Sequence, residues 1–429
     1  MAIREKWGRA MQDVLKRRAK EAKAKAYATP LGAFDVSDAE LFRGDTLWPW
    51  FERLRNEDPV HYCPQSQFGP YWSVTKHRDI IAVDSNHRVF SSDSELGGIT
   101  IFDGPQPREQ TSFISLDPPD HDQQRRVIAP MFAPESIKVL EPLIRERAAK
   151  ILDELPRGET FDFVDKVAVE LTSQMLATLF DFPFEDRRLL PRASDLILAQ
   201  PGPDSVVQTE EQRQVEFFQI FAKFVALWDE RLAKPPQHDL ISMLCHNAAT
   251  RKATPEAYLG NIILLIVAGS DTTRHSITGG LLALSQNPAE YDKLRANPAL
   301  IESMIPEIIR WQSPVAHMRR TALSDIELGG KKIKKGEKVI MWYVSGNRDE
   351  EAIDRADEFI IDRERPRQHV SFGFGIHRCV GMRLAEMQLR IMWEEILRRF
   401  PRIEVVGEPK RMNSNFVKGF DAMQVRIEA

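Results

Sequence analysis

Cysteine is scarce in this chain: Cys63, Cys245 and Cys379 are the only ones among 429 residues. They lie far apart, form no CxxC pair and follow no secretory signal, which points to a reducing, cytoplasmic setting with at most one specialised thiol. Long apolar runs are missing too. The longest, from Ile262 to Ala268, is soon cut by the polar run Ser270-Asp271-Thr272-Thr273-Arg274-His275, so no transmembrane anchor is expected. Charge of one sign is also lacking. With 59 Lys and Arg against 63 Asp and Glu the net charge is −4, which exerts no overall pull towards nucleic acid. There is no internal repeat, no low-complexity tract and no GxGxxG after a strand.

What is present is an ordinary globular balance, 42% hydrophobic and 28% charged, able to bury a large core. Length alone suggests more than one domain, but no linker of clear composition divides the chain, and the reading is a single domain over residues 1–429. Within residues 1–30, Ile3, Trp7, Met11, Val14 and Leu15 share one helical face among many Lys and Arg. Glu5, Asp13 and Glu21 count against a transit peptide, and the segment reads as a peripheral basic helix.

Residues 59–76 read as two short strands around a Pro/Gly/Ser turn, and alternation over 321–340, punctuated by Gly329-Gly330 and Lys335-Gly336, signals a second β region. Residues 402–427 carry similar short strands. Helical periodicity predicts helices over 136–155, 163–179, 210–232, 255–286, 289–296, 301–311 and 382–400, with a breaker-rich link at 200–209. The predicted fold class is mainly α with small antiparallel sheets gathered towards one side.

The most specific segment is Phe372-Gly373-Phe374-Gly375-Ile376-His377-Arg378-Cys379-Val380-Gly381, followed by a long amphipathic helix. Two glycines two apart let the backbone turn tightly and approach a bulky group, leaving amides free to point at the cysteine sulfur. A cysteine just before a helix start has its thiolate favoured by the helix dipole and by Arg378 and Arg383, and the thiolate is the form a metal needs. A lone intracellular cysteine is more often a buried structural residue, but that reading gives the glycines and basic residues no purpose.

Three other segments carry weaker signals. Ala268-Gly269-Ser270-Asp271-Thr272-Thr273 lies inside the helix predicted over 255–286, where an acid beside hydroxyls is costly unless satisfied or used. Leu264, Ala268 and Thr272 share a face, and Thr272 could bond back to the Ala268 carbonyl, the usual habit, or turn away to hold a water. Glu307 and Arg310 form a helical i,i+3 pair, blandly a surface ion pair. His121 and Arg125, four apart after Pro118-Pro119, say little by themselves.

Taken in order, these segments resemble the cytochrome P450 superfamily, whose cysteine loop runs Phe-Gly-x-Gly-x-His/Arg-x-Cys-x-Gly; the match is complete. The resemblance covers nearly the whole chain from Val60 onwards. It implies the cytochrome P450 fold, a helical body with a long central helix over haem b and minor antiparallel sheets, and it makes Cys379 the iron ligand. A thiolate ligand favours O–O cleavage. By the same resemblance Phe372, Gly373 and Ala268 border the haem, and His377, His121, Arg125 and Arg320 meet its propionates through charge-assisted bonds. Thr272 then orients dioxygen and Asp271 helps relay protons, while Glu307, Arg310 and Arg363 lock the fold and retain haem without touching the chemistry.

Four further stretches carry a closer resemblance, to the bacterial alkane and fatty-acid terminal hydroxylases: Phe68-Gly69-Pro70-Tyr71-Trp72-Ser73-Val74-Thr75, Met341-Trp342-Tyr343-Val344-Ser345-Gly346-Asn347-Arg348-Asp349, Leu384-Ala385-Glu386-Met387-Gln388-Leu389-Arg390, and Asn413-Ser414-Asn415-Phe416-Val417-Lys418-Gly419-Phe420. On that template the substrate sits between the long helix and loops at 99–113, 313–318 and 413–417. Leu264, Val267, Ala268, Val315, Ala316, Phe102, Phe113, Phe416 and Val417 would line it, apolar throughout, binding chains or rings by burial at ~0.8 kcal/mol per methylene. Attack on a terminal methyl needs a narrow channel that presents only the chain end, because the primary C–H bond is the stronger one.

The chain carries no candidate flavin or iron–sulfur segment, so electrons are expected from a ferredoxin and a ferredoxin reductase. Arg126, Arg378, Arg383 and Arg390 are candidates to receive that acidic partner. The reading implied is a monooxygenase hydroxylating the terminal methyl of medium-chain alkanes or fatty acids. Its rivals are a P450 acting on another hydrophobic substrate such as a terpene, and a non-catalytic haem-thiolate sensor. Asp271 and Thr272 count against the sensor, which needs no proton relay.

Overall fold

A computed structural model describes residues 2–104, 107, 111–199, 202 and 205–428, with side chains described from Val14 onwards. The first helix, α1 (Ala2–Ala28), leads to α2 (Ala39–Arg43) and α3 (Trp48–Glu57). Only the C-terminal half of α1 is seen to pack: Ala22 and Ala26 are buried, and Arg53 of α3 donates to the Ala26 carbonyl at 2.6 Å. Of the apolar face read from the sequence, Ile3, Trp7 and Met11 have side chains outside the described residues, and Val14 is exposed.

Strands β1 (Val60–Cys63) and β2 (Tyr71–Val74) pair antiparallel and are followed by α4 (His77–Ser85) and β3 (Phe90–Ser91). Next come α5 (Asp120–Ile128), which begins at the double proline, α6 (Pro134–Asp153) and β4 (Thr160–Asp162). The helix predicted over 163–179 is two pieces of different pitch, a π-helical stretch Val164–Val169 running into α7 (Glu170–Phe180). Then follow α8 (Leu189–Leu198), α9 (Glu210–Leu232), α10 (Leu240–His246) and α11 (Pro255–Gln286). Residues 200, 201, 203 and 204 of the breaker-rich link lie outside the described residues.

The bounds of α9 and α11 coincide with the periodicity because their starts are chemically marked. Thr209 accepts from the Gln212 amide at 3.0 Å and Thr254 from the Ala257 amide at 3.2 Å, with Pro255 at the first helical position. The remaining helices are α12 (Pro288–Ala296), α13 (Ile301–Gln312), α14 (Tyr343–Gly346) and α15 (Met382–Arg399). Interleaved with them are β5 (Met318–Ala322), β6 (Ile326–Leu328), β7 (Lys331–Ile333), β8 (Lys338–Met341), β9 (Ile403–Val405), β10 (Lys410–Arg411), β11 (Phe420–Ala422) and β12 (Gln424–Ile427).

The main sheet has the order β1-β2-β8-β5-β3. Its β2–β8 pairing, Trp72 opposite Val339, is parallel, so the expectation of antiparallel sheets holds elsewhere but not there. Strands this far apart in sequence are joined by most of the helical body and have no hairpin to force them antiparallel.

α11 runs through the main core and packs against α7, α8, α13 and α15. Close approach to α13 depends on Gly280, where a Cβ would stand 2.7 Å from Ile308 Cδ1. This packing fixes the face that carries Leu264, Ala268 and Thr272 relative to the cysteine loop.

Candidate active site

The cysteine loop lies between α14 and α15. Gly373 and Gly375 take positive φ of 66° and 65°, and a Cβ on Gly375 would sit 2.6 Å from the Asp84 carbonyl oxygen. Only glycine makes this turn while lying against the end of α4. The returning chain lets the Cys379 amide donate to the Phe372 carbonyl at 2.8 Å.

Cys379 is deep in the protein, and its accessible surface faces a cavity of about 1060 Å³. Burial pushes its thiol up, while the Gly381 and Met382 amides at the start of α15, with Arg125 and Arg378, pull it back towards the thiolate. Arg125 from α5 thus takes the part expected of Arg383. A metal cation on the sulfur would complete the deprotonation outright.

One wall of the cavity is α11, through Leu264, Val267, Ala268 and Thr272. Phe102, Phe113, Val315, Phe416 and Val417 come from the predicted loops, and Phe372 and Gly373 from the cysteine loop. Ala316 departs from expectation: it is fully buried in the core beside Phe51 and Trp342. Its amide donates to the Phe416 carbonyl at 2.8 Å and Val315 bridges Val417, so the segment is extended. Neighbours in extended chain face opposite ways, and Val315 inward puts Ala316 outward. Gln67 and Arg213 add polar groups to the wall that no motif announced, and Asn413 adds one from the predicted loop at 413–417.

At the cysteine side of the cavity stand the groups expected for propionates. The His121 and His377 rings are 4.4 Å apart. His377 Nε2 meets Ser92 Oγ at 2.9 Å and His121 Nδ1 meets Asp122 at 2.8 Å, while His377 Nδ1 and His121 Nε2 are buried without a hydrogen-bond partner. Burial pushes both imidazoles below their usual range. Arg125, Arg320 and His377 line the cavity, whereas His121 stands just behind its wall. Arg320 also donates to Asp84 at 2.7 Å, a carboxylate that accepts from the Phe374 amide and the Tyr343 hydroxyl.

Two orphaned imidazole nitrogens and two guanidiniums beside a cavity that holds a helix-start cysteine fit a dianionic, thiolate-ligated group such as haem b.

On the α11 side, Thr272 Oγ1 donates back to the Ala268 carbonyl at 2.8 Å. Asp271 does not face the cavity at all. It is fully buried, accepting from Ser194 Oγ at 2.7 Å and ion-paired with Arg274 Nη2 at 2.7 Å. Burial pushes its carboxyl up against the pull of Arg274. Arg274 was legible as an i,i+3 partner. Ser194, on another helix, left no local signal.

Glu307 and Arg310 are no surface pair: both are fully buried and joined by two bonds of 2.7 Å. Arg363 donates to the same carboxylate at 3.0 Å, and Arg310 also holds the Asn347, Ala356 and Glu358 carbonyls. Of the docking candidates, Arg126, Arg378 and Arg383 are exposed, whereas Arg390 is engaged by Glu141 and Glu394. No helix among the described residues is long and apolar enough to cross a membrane.

The family model for cytochrome P450 matches residues 194–424. Linalool 8-monooxygenase from Pseudomonas putida is 37% identical over 404 residues, 91% of this chain and 98% of that protein. A solved structure of cytochrome P450-153 from Novosphingobium aromaticivorans is 43% identical with a TM-score of 0.85, covering 92% of this chain and 99% of its own. Another, CYP153D17 from Sphingomonas sp. PAMC 26605, is 44% identical with a TM-score of 0.84 over 93% of this chain and 100% of its own. With likenesses of this reach, the chain belongs to the cytochrome P450 family of haem-thiolate monooxygenases.

Proposed function

We propose that this cytochrome P450 hydroxylates the terminal methyl of medium-chain alkanes and fatty acids, with electrons from a ferredoxin and its reductase. The observation that carries the reading is the cavity, large and mostly apolar, with Cys379 and Thr272 in one wall system. Burial of a hydrocarbon chain there supplies binding energy that grows with each methylene. The four stretches that resemble the terminal hydroxylases support the alkane and fatty-acid class.

Haem b, when bound, supplies dioxygen activation, favoured by electron donation from the Cys379 thiolate. His121, His377, Arg125 and Arg320 would hold its carboxylates. Leu264, Val267, Phe113 and Val315 give an apolar chain a wall to pack against. Thr272 and Asp271 move protons. For that the Thr272 hydroxyl must leave the Ala268 carbonyl and the Asp271 carboxyl must leave Ser194 and Arg274. Arg213 in the same wall offers a carboxylate head group a partner, which favours fatty acids over alkanes.

A second reading is a terpene alcohol substrate, favoured by the 37% identity to linalool 8-monooxygenase. Incubation of the reduced system with octane, dodecanoic acid and linalool, with a surrogate ferredoxin pair, separates the two. Terminal alcohols from the first two support the proposal; mainly in-chain products, or turnover of linalool alone, refute it.

A further inference from the structure

Asp84 stands in the last turn of α4 and is 2% exposed. Local physics argues against an acid there, because the C-terminal end of a helix carries partial negative charge and burial strips a carboxylate of water. Three donors from three other segments offset that cost. Arg320 of β5 donates from Nη2 to Oδ1 at 2.7 Å, while the Phe374 amide of the cysteine loop and the Tyr343 hydroxyl of α14 donate to Oδ2 at 2.7 and 2.9 Å. An arginine and a backbone amide can only donate, so both oxygens must accept, as a carboxylate does in its charged form.

Both glycines of the cysteine loop also lie on this residue. A Cβ on Gly373 would stand 3.1 Å from Asp84 Oδ2, and one on Gly375 would stand 2.6 Å from the Asp84 carbonyl oxygen. The loop that carries Cys379 is thus laid on the end of α4, and the arginine bonded to the same carboxylate lines the large cavity together with Cys379. Tyr343 and Gly373 line that cavity too, and Asp84 stands behind them, outside the lining. We propose that Asp84 is a positioning residue for the haem: one carboxylate fixes the cysteine loop relative to Arg320 among the propionate-binding groups, and its charge favours ferric over ferrous iron. The inference rests on haem ligation by Cys379 and is independent of which hydrocarbon is oxidised.

The charges near the propionate-binding groups set the sign. Arg125 and Arg320 are the cations there, and burial pushes His121 and His377 towards their neutral forms. Arg320 is paired with Asp84 at 2.7 Å, and Arg125 donates to the Arg378 carbonyl. Reduction adds a negative charge to the haem, which a fixed carboxylate nearby opposes. Removing the charge of Asp84 therefore favours the reduced iron. Removing one of its donors leaves more of that charge unscreened and does the opposite.

The test uses the purified holoenzyme and needs no turnover. Asp84→Asn keeps the size of the side chain and removes its charge. It should move the haem reduction potential, read by dye-coupled titration, in the positive direction and speed haem loss to apomyoglobin several-fold, with the thiolate band under carbon monoxide retained. Tyr343→Phe keeps the charge and takes away one donor, and should move the potential in the negative direction. Opposite directions are the mark of charge, because a carboxylate that only braced the fold would leave the potential in place or shift it the same way in both variants. The proposal is overturned by an Asp84→Asn potential at or below that of the wild type, by shifts of one sign in the two variants, or by haem loss from Asp84→Asn at the wild-type rate. If Asp84→Asn is isolated without haem, the Tyr343→Phe potential decides alone: a negative shift supports the proposal, and an unchanged or positive one overturns it.

Discussion

Thr272 shows how little room a single residue has to act. Its hydroxyl is one of three that α11 brings to the cavity, with those of Thr273 and Ser276, and it rests on the Ala268 carbonyl at 2.8 Å. On the proposed relay, removing it takes away the hydroxyl that follows Asp271 in the chain. Thr272→Ala should keep the thiolate spectrum and consume reducing equivalents at a similar rate, but divert several times more of them to hydrogen peroxide. Unchanged product per reducing equivalent would mark the hydroxyl as a helix bond only. At this scale the sequence was legible where a residue's setting follows from its neighbours: Cys379 beside its glycines, Thr272 bonded to Ala268 one turn back. It was not legible where the partner is remote, as with Ser194 on Asp271 or Asp84 on Arg320.

Between elements, the tie from α13 to the segment around Arg363 decides how well the cysteine loop is held. Glu307, Arg310 and Arg363 are buried together, and Arg310 binds the Asn347, Ala356 and Glu358 carbonyls of the chain that leads to the loop. Asn347 in turn accepts from the Val370 amide, two residues before Phe372. Removing Arg363 leaves Glu307 to Arg310 alone and forfeits a charge-assisted bond of 3.0 Å, so Arg363→Ala should cost about 1.5–3 kcal/mol and lower haem content on purification. Calorimetry and haem-to-protein ratio check both, and a variant of wild-type stability would sink the account. Long capped helices such as α9 and α11 were readable from periodicity. The short helices α3, α4, α8 and α10 were not, because a few turns shaped by tertiary contact give too little pattern to distinguish them from loop.

Across the whole molecule the net charge of −4 hides a local basic face, with Arg126, Arg378 and Arg383 exposed around the cysteine side. If an acidic electron donor docks there, raising ionic strength from about 0.05 to about 0.3 M should raise the KM for ferredoxin several-fold and leave kcat nearly unchanged. A salt-independent KM would move the docking site elsewhere. The sequence by itself determined the family, and it marked Cys379 and the Asp271-Thr272 pair as the candidates for iron ligand and proton relay, because each lies in a short motif of residues close in the chain. Only the tertiary structure decided that Ala316 faces the core, that Asp271 is buried away from the cavity, and that Arg274 is shared between Asp271 and Asp195. Facing and sharing are set by which elements pack together, and packing joins residues that no local spacing connects.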